Sequence, residues 1–388
     1  MKIFLIFLKL GCISFGGPIA HLGYFRDEFV GRLKWLSDHA YVDLVALCQF
    51  LPGPASSQVG IALGLSKCGV RGAVAAWLGF TLPSALLMVL FGLALINMGI
   101  HDNTPWIHGL KVVAVAVVAQ ALWGMSVSLC PDKTRASVAV LACIGSSLIP
   151  NASGQVLMII IGGILGLFFL SPEKSLPSSE LAVKLTKRTG MTVLLCFFML
   201  LALLPFLSFY IASYPIQLFD AFYRAGSLVF GGGHVVLPLL QAKVVPNGWV
   251  DNSLFLAGYG AAQALPGPLF TFAAFLGAVS INTPNGWLGA IIALVAIFLP
   301  SFLLIIGVLP LWNTLRRHPS MQKAMLGINA SVVGLLLAAF YQPVWTGAIF
   351  SLNDYWLAVM AFILLQFWRV PAWMVVFFCA LVTGIGWY

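Results

Sequence analysis

The chain has 388 residues, of which 61% are hydrophobic and only 8% charged, and its mean hydropathy is +1.02. This composition excludes a soluble globular domain and indicates a polytopic α-helical membrane protein. Its apolar runs exceed about 18 residues, which is too long for the strands of a membrane β-barrel. The net charge of +9 lies mostly in short loops between these runs, so it indicates control of membrane topology rather than nucleic-acid binding.

The cysteines and the apolar N-terminal run could each indicate a special role, but neither is interpreted in that way. The seven cysteines are scattered and form no C-x-x-C pair, so neither a disulfide framework nor a metal site is predicted. Residues 1–17 have the apolar character of a signal peptide. Lys9 interrupts that run, however, and a related stretch recurs deep inside the chain, so we interpret residues 1–17 as part of the mature protein.

The apolar segments fall into two halves. The first half contains segments 3–22, 40–66, 72–98, 109–129, 136–149 and 154–170. Residues 171–189 are polar and rich in serine and proline, which predicts a linker, and segment 190–212 is a single apolar run without an upstream counterpart. We therefore predict an N-terminal repeat over 1–170, a linker with a connecting transmembrane helix over 171–215, and a C-terminal repeat over 216–388.

The second half repeats the motifs of the first in the same order. The matching pairs are Phe15-Gly16-Gly17 with Phe230-Gly231-Gly232, Trp35 with Trp249, Leu82-Pro83-Ser84 with Leu299-Pro300-Ser301, and Gly109 with Gly327. The offset between the members of a pair changes only from about 214 to 221 residues along the whole half, which indicates duplication. Six segments in each half and one joining helix would give thirteen crossings. The two repeats would then have inverted topology.

Loop charges test this arrangement. With the N-terminus in the cytoplasm, the following loop cations fall on the cytoplasmic side: Lys67, Arg71, Lys133, Arg135, Lys174, Lys184, Lys187, Arg188, Lys243, Arg316, Arg317, Lys323 and Arg369. The loop 23–39 disagrees, because its three cations would lie outside. If the first or second segment of a half dips in and returns, the number of crossings falls and this loop can be cytoplasmic.

A Pro-Gly-Pro triplet interrupts one apolar segment in each half, at Pro52-Gly53-Pro54 and at Pro266-Gly267-Pro268. Proline removes a backbone donor and glycine weakens a helix, so both segments are predicted to be broken or re-entrant helices. In a membrane such a break is tolerated where protein or a polar cavity surrounds it. Paired breaks in two halves indicate a transport site.

The glycine motifs Gly16-Gly17 and Gly231-Gly232-Gly233 form a second break in each half. A helix that restarts there presents N–H donors and its positive end, which suits an oxyanion. The alternative is close helix packing through small residues. Ser14, next to the first motif, is a further candidate ligand.

Cations and amides accompany the breaks. Lys9 and Arg224 occupy equivalent positions within apolar segments, where a cation costs roughly 2.5–3.5 kcal/mol unless it faces a polar interior. The alternatives are snorkelling of Lys9 to the interface and pairing of Arg224 with Asp220 one turn earlier. Gln49 and Gln263 precede the two Pro-Gly-Pro triplets and are candidate anion donors, or interhelical hydrogen-bond partners.

We interpret His234 as the only histidine within an apolar segment, which makes it a candidate for proton coupling or a structural histidine bonded to a carbonyl. The sequence contains no H-E-x-x-H, G-x-S-x-G or Walker motif, so an enzyme is not predicted and no cofactor is implied. Secondary transport or a channel remains.

The motifs together resemble a known family. Lys9-Leu10-Gly11, Ser14-Phe15-Gly16-Gly17-Pro18, Leu51-Pro52-Gly53-Pro54 and Phe80-Thr81-Leu82-Pro83-Ser84 are similar to the repeated unit of the chromate ion transporters, and the second half carries the counterpart. The resemblance covers essentially the whole chain. It implies a secondary transporter of the bacterial inner membrane that exports chromate and confers chromate resistance, with coupling to protons or the membrane potential and competition by sulfate.

We therefore expect a secondary transporter for a divalent tetrahedral oxyanion, chromate by resemblance, that binds it near the bilayer midplane. Uptake or exchange of sulfate or a related oxyanion is the first alternative, and a non-transporting membrane scaffold is the second. The sequence leaves open whether the protein forms a homodimer.

Overall fold

The structure is a computed structural model that describes residues 2–98, 104–171, 185–211, 213–315 and 318–386. Most of the predicted linker 171–189, together with Arg316 and Arg317, lies outside the described residues. Within them the fold is all-helical, as predicted. Six helices are long and apolar enough to cross a membrane: Ala55–Asn97, Pro105–Leu129, Ala152–Phe169, Lys187–Ile211, Gly286–Leu311 and Pro319–Trp345.

The helices are numbered in chain order. The first half contains α1 (Lys2–Ile13), α2 (Gly17–Arg26) with a π-helical turn (Asp27–Arg32), α3 (Asp38–Phe50), α4 (Ala55–Asn97), α5 (Pro105–Leu129), α6 (Lys133–Leu148) and α7 (Ala152–Phe169). The connecting helix is α8 (Lys187–Ile211). The second half contains α9 (Tyr214–Leu228), α10 (Val236–Val244), α11 (Asn252–Ala262), α12 (Phe272–Val279), α13 (Gly286–Val308), α14 (Trp312–Leu315), α15 (Pro319–Ala339) with a π-helical turn (Phe340–Trp345), α16 (Leu352–Gln366) and α17 (Ala372–Gly384).

The predicted first segment, 3–22, is a helical hairpin rather than one helix. The ring of Phe7 on α1 lies 5.7 Å from that of Phe25 and 5.0 Å from that of Phe29. In a continuous helix Phe7 and Phe25 would be about 27 Å apart along the axis. The chain therefore reverses between α1 and α2, at Phe15-Gly16. We name residues 2–32 the first hairpin.

Helix α3 and the beginning of α4 form a second hairpin, residues 38–67, with Pro52-Gly53-Pro54 at its tip. Its two open ends meet, because Lys67 Nζ lies 3.5 Å from the Trp35 carbonyl oxygen and 5.2 Å from the centre of the Trp35 ring. The chain then turns again at Cys68 and Gly69, whose dihedral angles are not helical. A Cβ on Gly64 would lie only 2.3 Å from the Gly72 carbonyl oxygen, so the backbones on either side of this turn touch.

The second half repeats these reversals. Leu228 of α9 and Leu239 of α10 line one small cavity, so α10 runs back along α9 in a third hairpin, residues 214–244. Helices α11 and α12 form the fourth hairpin, residues 252–279, and its open ends are joined by the Ile281 N–H, which donates to the Trp249 carbonyl at 2.9 Å. Trp249 and Ile281 are the repeat equivalents of Trp35 and Lys67. The predicted duplication is thus visible in the contacts.

The two halves exchange packing partners. Helix α5 packs against α11, α16 and α17 of the second half, and α15 packs against α6 and α7 of the first. Equivalent glycines make both contacts possible: a Cβ on Gly109 would lie 2.5 Å from the Cys379 carbonyl oxygen, and one on Gly327 would lie 2.0 Å from that of Gly162. Small residues of this kind let membrane helices approach closely. The halves therefore share one interior.

Helix α8 lies on the outside of this arrangement. It packs against α9 and α13 through a narrow stripe whose buried residues are Gly190, Phe197 and Leu204. The rest of its apolar surface is exposed, with Leu195 at 68% and Phe209 at 80%. An apolar helix exposed on most sides is typical of a surface that faces lipid.

Candidate functional site

The tips of hairpins from opposite halves are hydrogen-bonded to each other. The Gly53 N–H, at the second hairpin's tip, donates to the Val229 carbonyl at 2.7 Å, where α9 has just ended. The Gly267 N–H, at the fourth hairpin's tip, donates to the Ser14 carbonyl at 2.9 Å, where α1 has just ended. Each Pro-Gly-Pro break thus satisfies an orphan carbonyl at the end of a helix of the other repeat. These two N–H groups are therefore occupied in this conformation.

Both tip glycines are required by geometry. Gly53 has φ +121° and Gly267 has φ +95°, a region that side chains rarely adopt. A Cβ on Gly53 would also lie 2.8 Å from Ser301 Oγ, and one on Gly267 would lie 2.9 Å from Ser84 Oγ. Ser84 and Ser301 are themselves repeat equivalents. The flanking prolines at 52, 54, 266 and 268 are buried and shape the tips.

A cavity of about 280 Å³ lies where the first and fourth hairpin tips meet. The first half contributes the tip of the first hairpin and the middle part of α5, and the second half contributes the third and fourth hairpins and the turn between α16 and α17. Its principal polar and glycine residues are Gly16, Gly17, Gln120, His234, Gln263, Gly267 and Arg369. Ligand sites in membrane transporters are expected at such a junction of repeats.

The first hairpin presents the N-terminus of α2 to this cavity. Gly16 is the N-cap residue, with φ +95°, and no side chain caps the helix. Gly17 follows with φ +78°. The first N–H groups of a helix have no partner within the helix, and together with the helix dipole they attract an anion. The predicted restart of a helix at this glycine motif is confirmed.

Three neutral polar side chains and one cation surround that N-terminus. Gln120 Nε2 donates to the Leu365 carbonyl at 3.0 Å, and Gln263 Nε2 lies 3.5 Å from the Tyr259 carbonyl. His234 Nδ1 lies 2.7 Å from the Tyr259 hydroxyl, so its partner is a phenol rather than a carbonyl. Arg369 is exposed and holds a positive φ of 54° in the turn before Val370-Pro371. No carboxylate lines the described cavity.

Several predicted ligands lie elsewhere. Ser14 is buried behind the cavity with its hydroxyl unpartnered, and Gln49 is exposed. Lys9 is exposed on the surface of α1. Gly231 and Gly232 face the end of α5, and Gly233 faces Pro18 and Leu269 of the cavity wall, but none of the three glycines lines the cavity, although their neighbour His234 does. Arg224 pairs with Asp220, as the alternative interpretation anticipated.

The sequence reasoning missed three polar residues. Gln120 carried a usable signal, because an amide in the middle of an apolar segment usually has a buried partner. Arg369 was assigned to a loop, and nothing in its neighbourhood placed it beside Gly17. His21 was overlooked: it is 1% exposed and its Nδ1 lies 3.4 Å from Ser56 Oγ. His234 is therefore not the only histidine in the membrane-buried interior.

The fold and this site define a class. Two repeats of broken helices, with opposed hairpin tips and a polar cavity between them, are the architecture of a secondary membrane transporter. The chain belongs to the chromate transporter family, whose family model matches residues 1–167 and 216–385. Both repeats are thus covered by the same family description.

Similar proteins are found in distant organisms. A probable chromate transport protein of Synechococcus elongatus is 28% identical, over 86% of this chain and 81% of that protein. A chromate transport protein of Cupriavidus metallidurans is 26% identical, over 87% of this chain and 81% of the relative. An uncharacterized transporter of Methanocaldococcus jannaschii is 27% identical, over 87% of this chain and 83% of that transporter. No solved structure matches this chain.

Proposed function

We propose that this protein is a secondary transporter that exports chromate, a divalent tetrahedral oxyanion, across the cytoplasmic membrane and thereby confers chromate resistance. Family membership supports a chromate transporter. The observation that carries the site assignment is the cavity of about 280 Å³ between the repeats, with the uncapped N-terminus of α2 in its wall.

The chemistry of the cavity lining suits such an anion. Backbone N–H groups near Gly16 and Gly17 would donate to two or more oxygens, and the amides of Gln120 and Gln263 would donate to the others. Arg369 would supply the full positive charge, since a guanidinium binds oxyanions through directed hydrogen bonds. Neutral donors with a single cation hold the anion loosely enough to release it, which a transporter requires.

The chain path supports an inverted arrangement of the repeats. If all four hairpins re-enter on the side from which they came, each half crosses the membrane with four helical segments, and α8 adds one. The total is nine crossings, so the second half begins on the opposite face. Helices α16 and α17 are short for a crossing, but their turn, which carries the exposed Arg369, lines the cavity.

Loop charges favour the same topology. With the N-terminus in the cytoplasm, the cations of the loop 23–39 fall on the cytoplasmic side with the others. The loops of the opposite face then contain no lysine or arginine, and the cations nearest to them, Lys111 and Lys243, lie in helices. If residues 3–22 crossed the membrane fully, the cations of the loop 23–39 would lie outside, against the positive-inside rule, and the hairpin removes that disagreement. In this topology the turn that carries Arg369 lies towards the cytoplasmic face.

The decisive experiment is anion binding and transport by an Arg369→Gln variant. Purified protein is titrated with chromate and sulfate by calorimetry, and chromate uptake is measured in inverted membrane vesicles. Loss of a charge-assisted hydrogen bond should weaken chromate binding about 10–100-fold. Arg71→Gln, which removes an exposed cation outside the cavity, should leave binding unchanged.

Each outcome has a separate meaning. If wild-type protein binds neither anion, the transport function proposed above is wrong. If it binds chromate and Arg369→Gln binds equally well, the anion site lies elsewhere. Tighter binding of sulfate, with accumulation in right-side-out vesicles, would identify sulfate uptake instead.

A further inference from the structure

A second group of charges lies within the third hairpin, apart from the cavity described above. Arg224 of α9 donates to the carboxylate of Asp220 one turn earlier, and Asp220 is fully buried. Lys243, near the end of α10, is partly buried and lines a small cavity together with Arg224. Ala152 and Val156, at the start of α7, form the opposite wall.

The polar atoms of this group are not fully used. Arg224 Nε and Asp220 Oδ1 are buried and have no hydrogen-bond partner, although the other carboxylate oxygen accepts from Arg224 and from Ser208 Oγ at 3.3 Å. Most buried polar groups in native proteins have a partner. Two cations against one carboxylate also leave an excess of one positive charge. The unpartnered N–H donor of Arg224 and the excess positive charge both favour an anionic ligand, whereas the unpartnered Asp220 oxygen requires a donor.

The first half lacks this arrangement at the equivalent positions. Ser14 and Val229 are repeat equivalents, as are Trp35 and Trp249, so Lys9 is equivalent to Arg224, Leu5 to Asp220, and either Glu28 or Phe29 to Lys243. Glu28 accepts from Arg32 and Phe29 is apolar, so that position of the first half carries no cation. The paired cations are thus a property of the second half alone and are not required by the hairpin fold.

Lys243 in the last turn of α10 and Lys111 near the start of α5 lie towards the face whose loops contain no lysine or arginine, a position that the positive-inside rule disfavours. Lys111 donates to Ser253 Oγ at 3.1 Å, whereas Lys243 lines the small cavity beside the pair of Arg224 and Asp220. The small cavity itself has a volume of about 20 Å³, room for about one water molecule, so an oxyanion would bind at its open side.

We propose that Arg224 and Lys243 form a second oxyanion site, on the side of the membrane opposite Arg369. This inference rests on the proposed transport function. Asp220 neutralises Arg224 when the site is empty, and an arriving anion competes with Asp220 for the guanidinium while Lys243 supplies the second charge. The ligand is an oxyanion from one of two sources: the transported anion, or the phosphate of an anionic lipid headgroup.

The test counts anions bound by the full-length protein in nanodiscs of phosphatidylcholine, which is zwitterionic. Titration with sulfate should give two anions per chain for wild type, one for Lys243→Gln and one for Arg369→Gln. The affinity at the lost site should fall about 10–100-fold. Lys323→Gln, which removes a cation outside both cavities, should retain two.

A second arm separates the two sources. In nanodiscs that contain phosphatidylglycerol, a lipid headgroup in the site would reduce wild type to one sulfate per chain, and Lys243→Gln would retain less of this lipid on delipidation. Two sulfates per chain in both lipids would identify the transported anion. Either result supports the site.

The inference is overturned if Lys243→Gln alters neither sulfate stoichiometry nor lipid retention while Arg369→Gln removes one anion, a result that leaves the transport function standing. Should Lys243→Gln fail to fold, Lys243→Arg keeps the charge and must bind two anions. The second site would also be excluded if wild type and a folded Lys243→Arg variant each bound only one sulfate per chain.

Discussion

Gly267 offers the sharpest test of the contact between hairpin tips, through the substitution Gly267→Ala. Its φ of +95° places an alanine in the left-handed region, which costs about 1–2 kcal/mol. The new Cβ would also lie 2.9 Å from Ser84 Oγ and 3.2 Å from the Phe80 carbonyl oxygen. Overpacking of this kind costs about 1–3 kcal/mol. The two effects together predict a loss of about 2–5 kcal/mol in the free energy of unfolding.

The assay is thermal unfolding of purified protein in detergent, followed by tryptophan fluorescence. The matched control is Gly124→Ala on α5, where an added Cβ meets no atom within 4 Å and helical alanine should stabilise by about 0.5–1 kcal/mol. Gly267→Ala should unfold several degrees below wild type and Gly124→Ala at or above it. Equal midpoints for the two variants would refute the close approach of the fourth hairpin's tip to α4.

Two further predictions concern packing and topology. Gly327→Ala should lower the free energy of unfolding by about 1–3 kcal/mol, because its Cβ would overlap the backbone carbonyl of Gly162, which cannot move aside like a side chain. An unchanged unfolding midpoint would contradict the contact between α15 and α7. In a variant that keeps Cys68 as its only cysteine, a membrane-impermeant maleimide should label Cys68 from the cytoplasmic side. Asn282 lies at the equivalent turn of the other half, so in an otherwise cysteine-free chain Asn282→Cys should be labelled from the opposite side. Labelling of both from one side would exclude inverted repeats.

The sequence was informative wherever the signal is local. Composition predicted membrane helices, and the chemistry of proline and glycine predicted where helices stop, at Gly53 and Gly267 and at the two glycine motifs. Duplication followed from the recurring motifs. Each of these inferences depends on a residue and its immediate neighbours, so none required knowledge of the tertiary structure.

The direction of the chain after a break was not accessible in the same way. Glycine at positive φ ends a helix equally well in a kinked crossing and in a reversal, so 3–22 was assigned as one segment. The deciding contact is between Phe7 and Phe25, two apolar residues that any membrane segment could contain. For the same reason the site was predicted only in part. The predicted residues Gly16, Gly17 and Gln263 line the cavity, but so does Arg369, which lies about 350 residues after Gly17 in the sequence.

The reversal also changes how the cations are understood. When residues 3–22 are treated as a crossing, the loop 23–39 carries three cations on the outer face, and Lys9 looks like a charge buried in the middle of a transmembrane helix. When the segment is a hairpin, the loop returns to the side of the N-terminus, and Lys9 is an exposed residue on the arm of that hairpin. Lys243, beside the buried pair of Arg224 and Asp220, then lies towards the opposite face, as does Lys111 near the start of α5. A single change in chain path thus accounts for the disagreement of the loop 23–39 with the positive-inside rule.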